Sequence, residues 1–158
     1  MKKTVLSGFI LASLFLIAVI SGCKKEEATN APSNVGTATI TGKVETELDL
    51  TNTKVENVPV GTKIIAIINS QDLVTNPEPG VTYDNISYET TVGADGKYTF
   101  TNIAAANKNV TVHLYPVDFE YNQVQADTTT LRKIFSVNPL SIDVVKGTNK
   151  ILDIYYNY

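Results

Sequence analysis

Thr37-Ala38-Thr39-Ile40-Thr41-Gly42-Lys43-Val44-Glu45 alternates without interruption. Ala38, Ile40, Gly42 and Val44 fall on one side of an extended chain, and Thr37, Thr39, Thr41, Lys43 and Glu45 on the other. A period of two belongs to a β-strand with one face in a core and the other in water. From Thr37 onward the 3.6-residue period of an amphipathic helix is absent, so this stretch sets the class as all-β.

Further strands follow on both sides of recognisable turns. Residues 62–69 (TKIIAIIN) are apolar on both faces, as in the middle of a sheet. Residues 86–92 form another strand, and Gly93-Ala94-Asp95-Gly96 is a turn whose Asp-Gly pair supplies the positive φ of a tight hairpin. Residues 97–102 (KYTFTN) then return with Tyr98 and Phe100 on one face. Residues 110–117 place Val110, Val112 and Leu114 opposite Thr111, His113 and Tyr115. Residues 131–137, 141–145 and 150–156 complete the set, with Lys146-Gly147-Thr148-Asn149 turning the chain into the last. Pro77-Glu78-Pro79-Gly80 marks a long surface loop. The spacing predicts a single antiparallel β-sandwich of about seven to eight strands across residues 37–158.

The N-terminus carries a different message. Lys2 and Lys3 precede an apolar run, residues 9–20, broken only by Ser13, and Ile20-Ser21-Gly22-Cys23 follows. That layout is a secretory signal, and its last four residues resemble a bacterial lipobox. The resemblance implies cleavage between Gly22 and Cys23 and acylation of the Cys23 thiol, with residues 1–22 removed. Two or more acyl chains would hold the protein firmly on a membrane. The apolar stretch is short of the roughly 20 residues that span a bilayer. Cys23 is the only cysteine, so the fold is expected to hold without disulfides. Lys24 rather than Asp follows it, which by the same analogy implies the outer membrane of the cell envelope. The Lys24-Lys25-Glu26-Glu27 run resembles an export tag for outward display. Residues 24–36 (KKEEATNAPSNVG) lack hydrophobic periodicity and read, with Cys23, as a flexible tether; extended, they reach at most about 43 Å.

At the level of motif the domain resembles a known family. Gly42-Lys43-Val44 in a first strand, Val58-Pro59-Val60-Gly61-Thr62-Lys63-Ile64-Ile65-Ala66 in a second, and Asp95-Gly96-Lys97-Tyr98-Thr99-Phe100-Thr101-Asn102-Ile103 after a turn carry the likeness. They are similar to the prealbumin-like (transthyretin-like) sandwich of carboxypeptidase regulatory-like domains, and Lys150-Ile151-Leu152-Asp153-Ile154 is similar to that family's closing strand. The stretch from Ser70 to Asn85 is longer than the family's version. The resemblance implies an accessory module and no catalytic residues.

Charge and composition narrow the chemistry. Without residues 1–22 the chain has 11 basic and 16 acidic side chains, a net charge of −5. That balance argues against nucleic acid, which needs a concentrated basic face. His113 is the only histidine and sits mid-strand with no nucleophile-elbow sequence, so catalysis is not expected. One histidine and no free cysteine make a transition-metal site improbable. Asp118 and Glu120 would share a side if the strand ran past Val117, but no calcium-loop pattern surrounds them. No cofactor or metal is expected.

Tyrosine is the remaining signal, at eight residues. Tyr83, Tyr88, Tyr121, Tyr155, Tyr156 and Tyr158 are the candidate binding surface, because tyrosine is rigid and amphipathic. Tyr155 and Tyr156 are consecutive in a strand, so one of them is expected outside the core. The leading functional expectation is a membrane-anchored, non-catalytic assembly module of an envelope complex, docked on an outer-membrane receptor or another envelope protein. The alternative is a carbohydrate- or peptide-binding module that uses exposed tyrosines. An exposed contiguous tyrosine patch would favour the alternative, and an open apolar edge strand the assembly module.

Overall fold

A computed structural model describes residues 35–158, all within one compact unit. Gly22, Cys23 and most of the expected tether lie outside the described residues. Eleven strands form: β1 (Gly36–Thr46), β2 (Glu56–Asn57), β3 (Lys63–Asn69), β4 (Asn85–Thr91), β5 (Lys97–Ala105), β6 (Val110–Pro116), β7 (Phe119–Val124), β8 (Thr130–Phe135), β9 (Leu140–Val144), β10 (Asn149–Ile151) and β11 (Ile154–Tyr155). The expected strands are all present. The count exceeds that read from the alternation because β2 and β7 were not expected and the stretch 150–156 divides into β10 and β11. Val35 packs against the core and Gly36 opens β1, so the fold takes in the last two residues of the expected tether.

Two sheets make the sandwich. One runs β4-β3-β6-β9 and is antiparallel throughout. The other is centred on β1, which pairs antiparallel with β2 and β5 but parallel with β10 and β11. The antiparallel expectation therefore fails along this one edge, where the C-terminal strand runs beside the N-terminal one. Ala38, Ile40, Val44, Phe100, Ile103 and Ile154 of one sheet and Ile64, Ala66, Ile68, Val112, Leu114 and Val144 of the other are buried in a single core. β3 lies between β4 and β6, as its two-faced apolarity requires.

The Gly93–Gly96 turn does not close a hairpin. Its Gly96 has a φ of 71°, as the Asp-Gly pair demands, but β4 pairs with β3 and β5 pairs with β1. The turn is a corner that carries the chain between sheets. It is fixed by Gly93 N donating to Lys97 O at 2.8 Å and Val44 N donating to Gly96 O at 2.8 Å. Side chains then tie the two sheets along this side: Ala104 N donates to the Tyr88 hydroxyl at 2.9 Å, and Thr90 Oγ1 donates to Thr99 O at 3.0 Å.

β10 and β11 are one strand interrupted at Leu152 and Asp153. Leu152 N donates to Thr41 O at 2.9 Å, and Lys43 N donates to Asp153 Oδ1 at 2.8 Å, so a side chain replaces the missing ladder bond. The kink drives the Leu152 carbonyl against Gly42, where a Cβ would collide with it. This is the close approach that requires glycine within a strand.

β7 and β8 form a hairpin apart from both sheets. It is stitched to the end of the sandwich at two places. Val124 N donates to Leu48 O and Leu50 N to Val124 O, both at 2.9 Å; Ser136 and Asn157 exchange main-chain bonds of 2.8 and 2.9 Å. Phe119 stacks on Phe135 with centroids 5.1 Å apart, and Tyr156 meets Phe119 edge-on at 5.1 Å. This aromatic cluster seats the hairpin.

Candidate functional site

The six candidate tyrosines separate by what their hydroxyls and rings touch. Tyr83 accepts from Glu78 N at 3.0 Å and ties down the Pro77–Gly80 loop. Tyr88 holds β4 to β5 through Ala104 N. Tyr156 is fully buried and donates to Val117 O at 2.9 Å. Each phenol thus has a backbone partner, Tyr156 in the core, Tyr88 half-buried between β4 and β5, and Tyr83 on the exposed loop, which leaves these hydroxyls less free for a ligand. Burial, with a lesser push from Asp118, holds the Tyr156 hydroxyl well above the ordinary phenol range.

Tyr121, Tyr155 and Tyr158 stay exposed at 42, 42 and 55%. Tyr155 and Tyr158 line one groove of about 360 Å³ together with Glu47, Asn157 and the edge of Tyr156. That volume lies within the size range of ligand clefts, roughly 300–1,000 Å³. Parallel pairing puts Tyr155 beside Glu45. The alternation that turns Lys43 and Glu45 outward also turns Glu47 outward, next to the tyrosines. Tyr158 leans edge-on against Phe135 with centroids 5.8 Å apart, and Lys133 Nζ sits 5.1 Å from its ring centroid. Tyr121 pairs with Lys133 across the hairpin. Tyr121 also lines a separate hollow of about 470 Å³ with Glu120, Asn122 and Arg132.

The groove is held from below. Thr46 Oγ1 donates to Tyr156 O at 2.9 Å and Tyr156 N donates to Glu45 O at 3.0 Å, clamping the C-terminus to the end of β1. Gln123, buried in β7, donates to Glu47 O at 2.8 Å. Among the described residues the Glu47 carboxylate has no hydrogen bond or ion pair. Desolvation first, then the carboxylates of Glu47, Glu56 and Glu45 and the phenol of Tyr158, raise the Tyr155 hydroxyl above its ordinary range. Rings plus a carboxylate and an amide are suited to a ligand with an apolar face and polar substituents.

Other sequence candidates lie elsewhere. His113 is exposed on the outer face of the β4-β3-β6-β9 sheet, where its Nδ1 is 2.9 Å from Ser141 Oγ. The neighbouring Asp143 accepts from Thr111 Oγ1 at 2.7 Å rather than orienting the ring. Glu120 is ion-paired with Arg132 across the hairpin, so it does not join Asp118. Among the described residues, no three His, Cys, Asp or Glu side chains converge as metal ligands. Glu47, Asn157 and Lys133 were not among the residues expected from the sequence to form a binding surface. Glu47 was within reach, since it continues the β1 alternation by one step, whereas Asn157 and Lys133 depend on contacts across the hairpin.

No family model matches the chain, and no curated protein matches it significantly. Among solved structures, a candidate carbohydrate binding protein from Pseudomonas aeruginosa is similar at 12% identity and a TM-score of 0.41, over 79% of this chain and 92% of that one. A likeness of that degree carries no weight for function.

Proposed function

We propose that this chain is an envelope lipoprotein, anchored through Cys23 at the outer membrane, whose sandwich is a non-catalytic carbohydrate-binding module. In this reading the sandwich belongs with the prealbumin-like accessory modules it resembles in motif. The observation that carries the function is the groove in which exposed Tyr155 and Tyr158 flank Glu47 and Asn157. Sugar rings present C–H faces that pack on aromatic rings and hydroxyls that bond to carboxylate and amide groups. Tyr155 and Tyr158 share that groove, whereas the flanks of the two larger sheets offer little to an added strand. β4 is polar and bound to β5 by side chains, β9 is short, and β10 is kinked at Leu152. Docking by strand addition, the route of the assembly reading, would fall to the open edge of the β7–β8 hairpin, where Leu131 and Ile134 are exposed, and those strands do not line the tyrosine groove.

The test is a glycan array followed by calorimetry on the full chain in a nonionic polyoxyethylene detergent, which carries no sugar headgroup. Binding should fall about ten-fold in the Tyr155→Ala, Tyr158→Ala double variant, the loss of two aromatic contacts. Failure to bind any glycan, or binding that survives the double variant, refutes the proposal. Metabolic labelling with palmitate, lost in Cys23→Ser, tests the anchor.

A further inference from the structure

The proposed carbohydrate site has an electrostatic character that narrows its ligand class. We infer that the groove, if it binds carbohydrate as proposed, selects sugars bearing a free, protonated amine over their neutral N-acylated counterparts. Three observations carry this. The Glu47 carboxylate lines the groove and has no partner of its own among the described residues. The exposed rings of Tyr155 and Tyr158 line the groove, and aromatic rings attract cations as well as C–H groups. The Tyr158 ring already has a cation set over it, the Lys133 ammonium at 5.1 Å from the centroid.

Among the neighbouring charges the carboxylates of Glu45, Glu47 and Glu56 outnumber the ammonium groups of Lys43 and Lys133. Glu45 stands beside Tyr155 in the ladder, and Glu56 reaches back to accept from Leu48 N at 2.8 Å through one oxygen. Facing cations are Lys133 and Lys43. The Lys43 ammonium is engaged with Glu45 at 3.9 Å, and Lys133 with the Tyr158 ring, so Glu47 and Glu56 remain uncompensated. The Tyr155 hydroxyl is raised first by burial and next by the Glu47 carboxylate, which places that charge close to the ring. A neutral sugar gains only stacking and hydrogen bonds here. An ammonium gains these and an ion pair with Glu47 in a half-enclosed groove, while an anionic uronic acid is repelled.

The experiment compares glucosamine oligomers with free amines, the same oligomers fully N-acetylated, and an oligogalacturonate, by calorimetry on the full chain in polyoxyethylene detergent. At low salt the free-amine oligomer should bind about five-fold or more tighter than the acetylated one, the scale of one well-placed ion pair. The gap should close in Glu47→Gln, which keeps the shape, and shrink in about 0.5 M salt. Equal binding of the free and acetylated oligomers rejects amine selection and leaves the carbohydrate reading standing. An unchanged gap in Glu47→Gln also rejects it, because the selectivity then arises elsewhere. If no oligomer and no other glycan binds, both readings fall together.

Discussion

Gln123 donates its side-chain amide to the main-chain carbonyl of Glu47, 2.8 Å away, from a position with no exposed surface. Its own oxygen accepts from Gln125 Nε2 at 3.1 Å, so the buried amide is satisfied at both ends. This bond fixes the chain just past β1 against the β7–β8 hairpin and thereby sets where the Glu47 carboxylate stands. Gln123→Met keeps the length and apolar bulk but strands the Glu47 carbonyl. The expected loss is about 1–3 kcal/mol of stability. Thermal denaturation followed by circular dichroism should show it, and an unchanged midpoint would mean that the bond is dispensable.

The kink at Leu152 makes a sharper demand on Gly42. A methyl group there meets a main-chain carbonyl, which cannot rotate away as a side-chain tip would. Gly42→Ala must displace β10 and β11 from β1 and should lower stability by about 3 kcal/mol, the upper end for overpacking. Lys43, one residue on and exposed, is the control: Lys43→Ala should stay within about 0.5 kcal/mol. Urea midpoints for the two variants decide the matter, and similar values would exclude the steric account.

These residues also show what was legible in advance. Alternation is a local signal, so β1 could be read from Ala38 to Val44, and the opposite fates of Tyr155 and Tyr156 follow from their being neighbours. Pairing partners are not local. The sequence around Gly93–Gly96 has the same turn chemistry whether the chain doubles back within a sheet or crosses to the other one. Only the competition between β1 and β4 for β5 decides it. β7 escaped notice because its sequence, FEYNQV, buries a glutamine, and a buried glutamine makes sense only once the Glu47 carbonyl is placed opposite. Tyr83 and Tyr88 looked like surface candidates because nothing in their own neighbourhoods reveals the backbone amides of Glu78 and Ala104 that bind their hydroxyls.

Two phenols should give the fold an alkaline limit. Tyr98 donates to Leu152 O at 2.8 Å and Tyr156 to Val117 O at 2.9 Å, and burial holds both hydroxyls far above the ordinary value of 10.0. Both groups favour the protonated folded state. Their stabilising contribution is full below pH 10.0, where the unfolded phenol titrates, and is eroded as pH rises beyond it. Absorbance at the tyrosinate band should therefore show two of the eight tyrosines ionising only together with unfolding. Eight reversible ionisations in the native state would contradict this.

The hairpin tip holds a correctable strain. Thr128 has a φ of 67°, a left-handed conformation that a β-branched residue adopts at a penalty, while Asp127 Oδ1 accepts from Thr129 N at 3.0 Å and fixes the turn. Thr128→Asn keeps a side chain but tolerates that conformation. It should raise stability by about 0.5–1 kcal/mol, visible as a higher thermal midpoint. The same turn lowers the Asp127 carboxyl below its ordinary 3.8, through its bonds to Thr129. Its contribution is present above pH 3.8 and lost as pH falls through the lower native value. In Thr129→Ala, carbonyl NMR titration should find Asp127 shifted back toward the ordinary value.

Tyr155 and Tyr156 together offer the cleanest separation of folding from binding, since they are adjacent in sequence and opposite in exposure. Tyr156→Phe retains the ring against Phe119 but removes the hydroxyl bond to Val117, so stability should fall by about 1 kcal/mol while glycan affinity holds. Tyr155→Ala removes an exposed ring from the groove. Stability should change by less than about 0.5 kcal/mol, and affinity should fall several-fold. Denaturation midpoints and titrations on the same preparations give both numbers for each variant. The reverse pattern, affinity lost in Tyr156→Phe and kept in Tyr155→Ala, would place any ligand elsewhere on the sandwich. The Tyr121, Glu120 and Arg132 hollow on the hairpin would then be the next surface to probe, because it is the other described hollow with an exposed tyrosine from the candidate set.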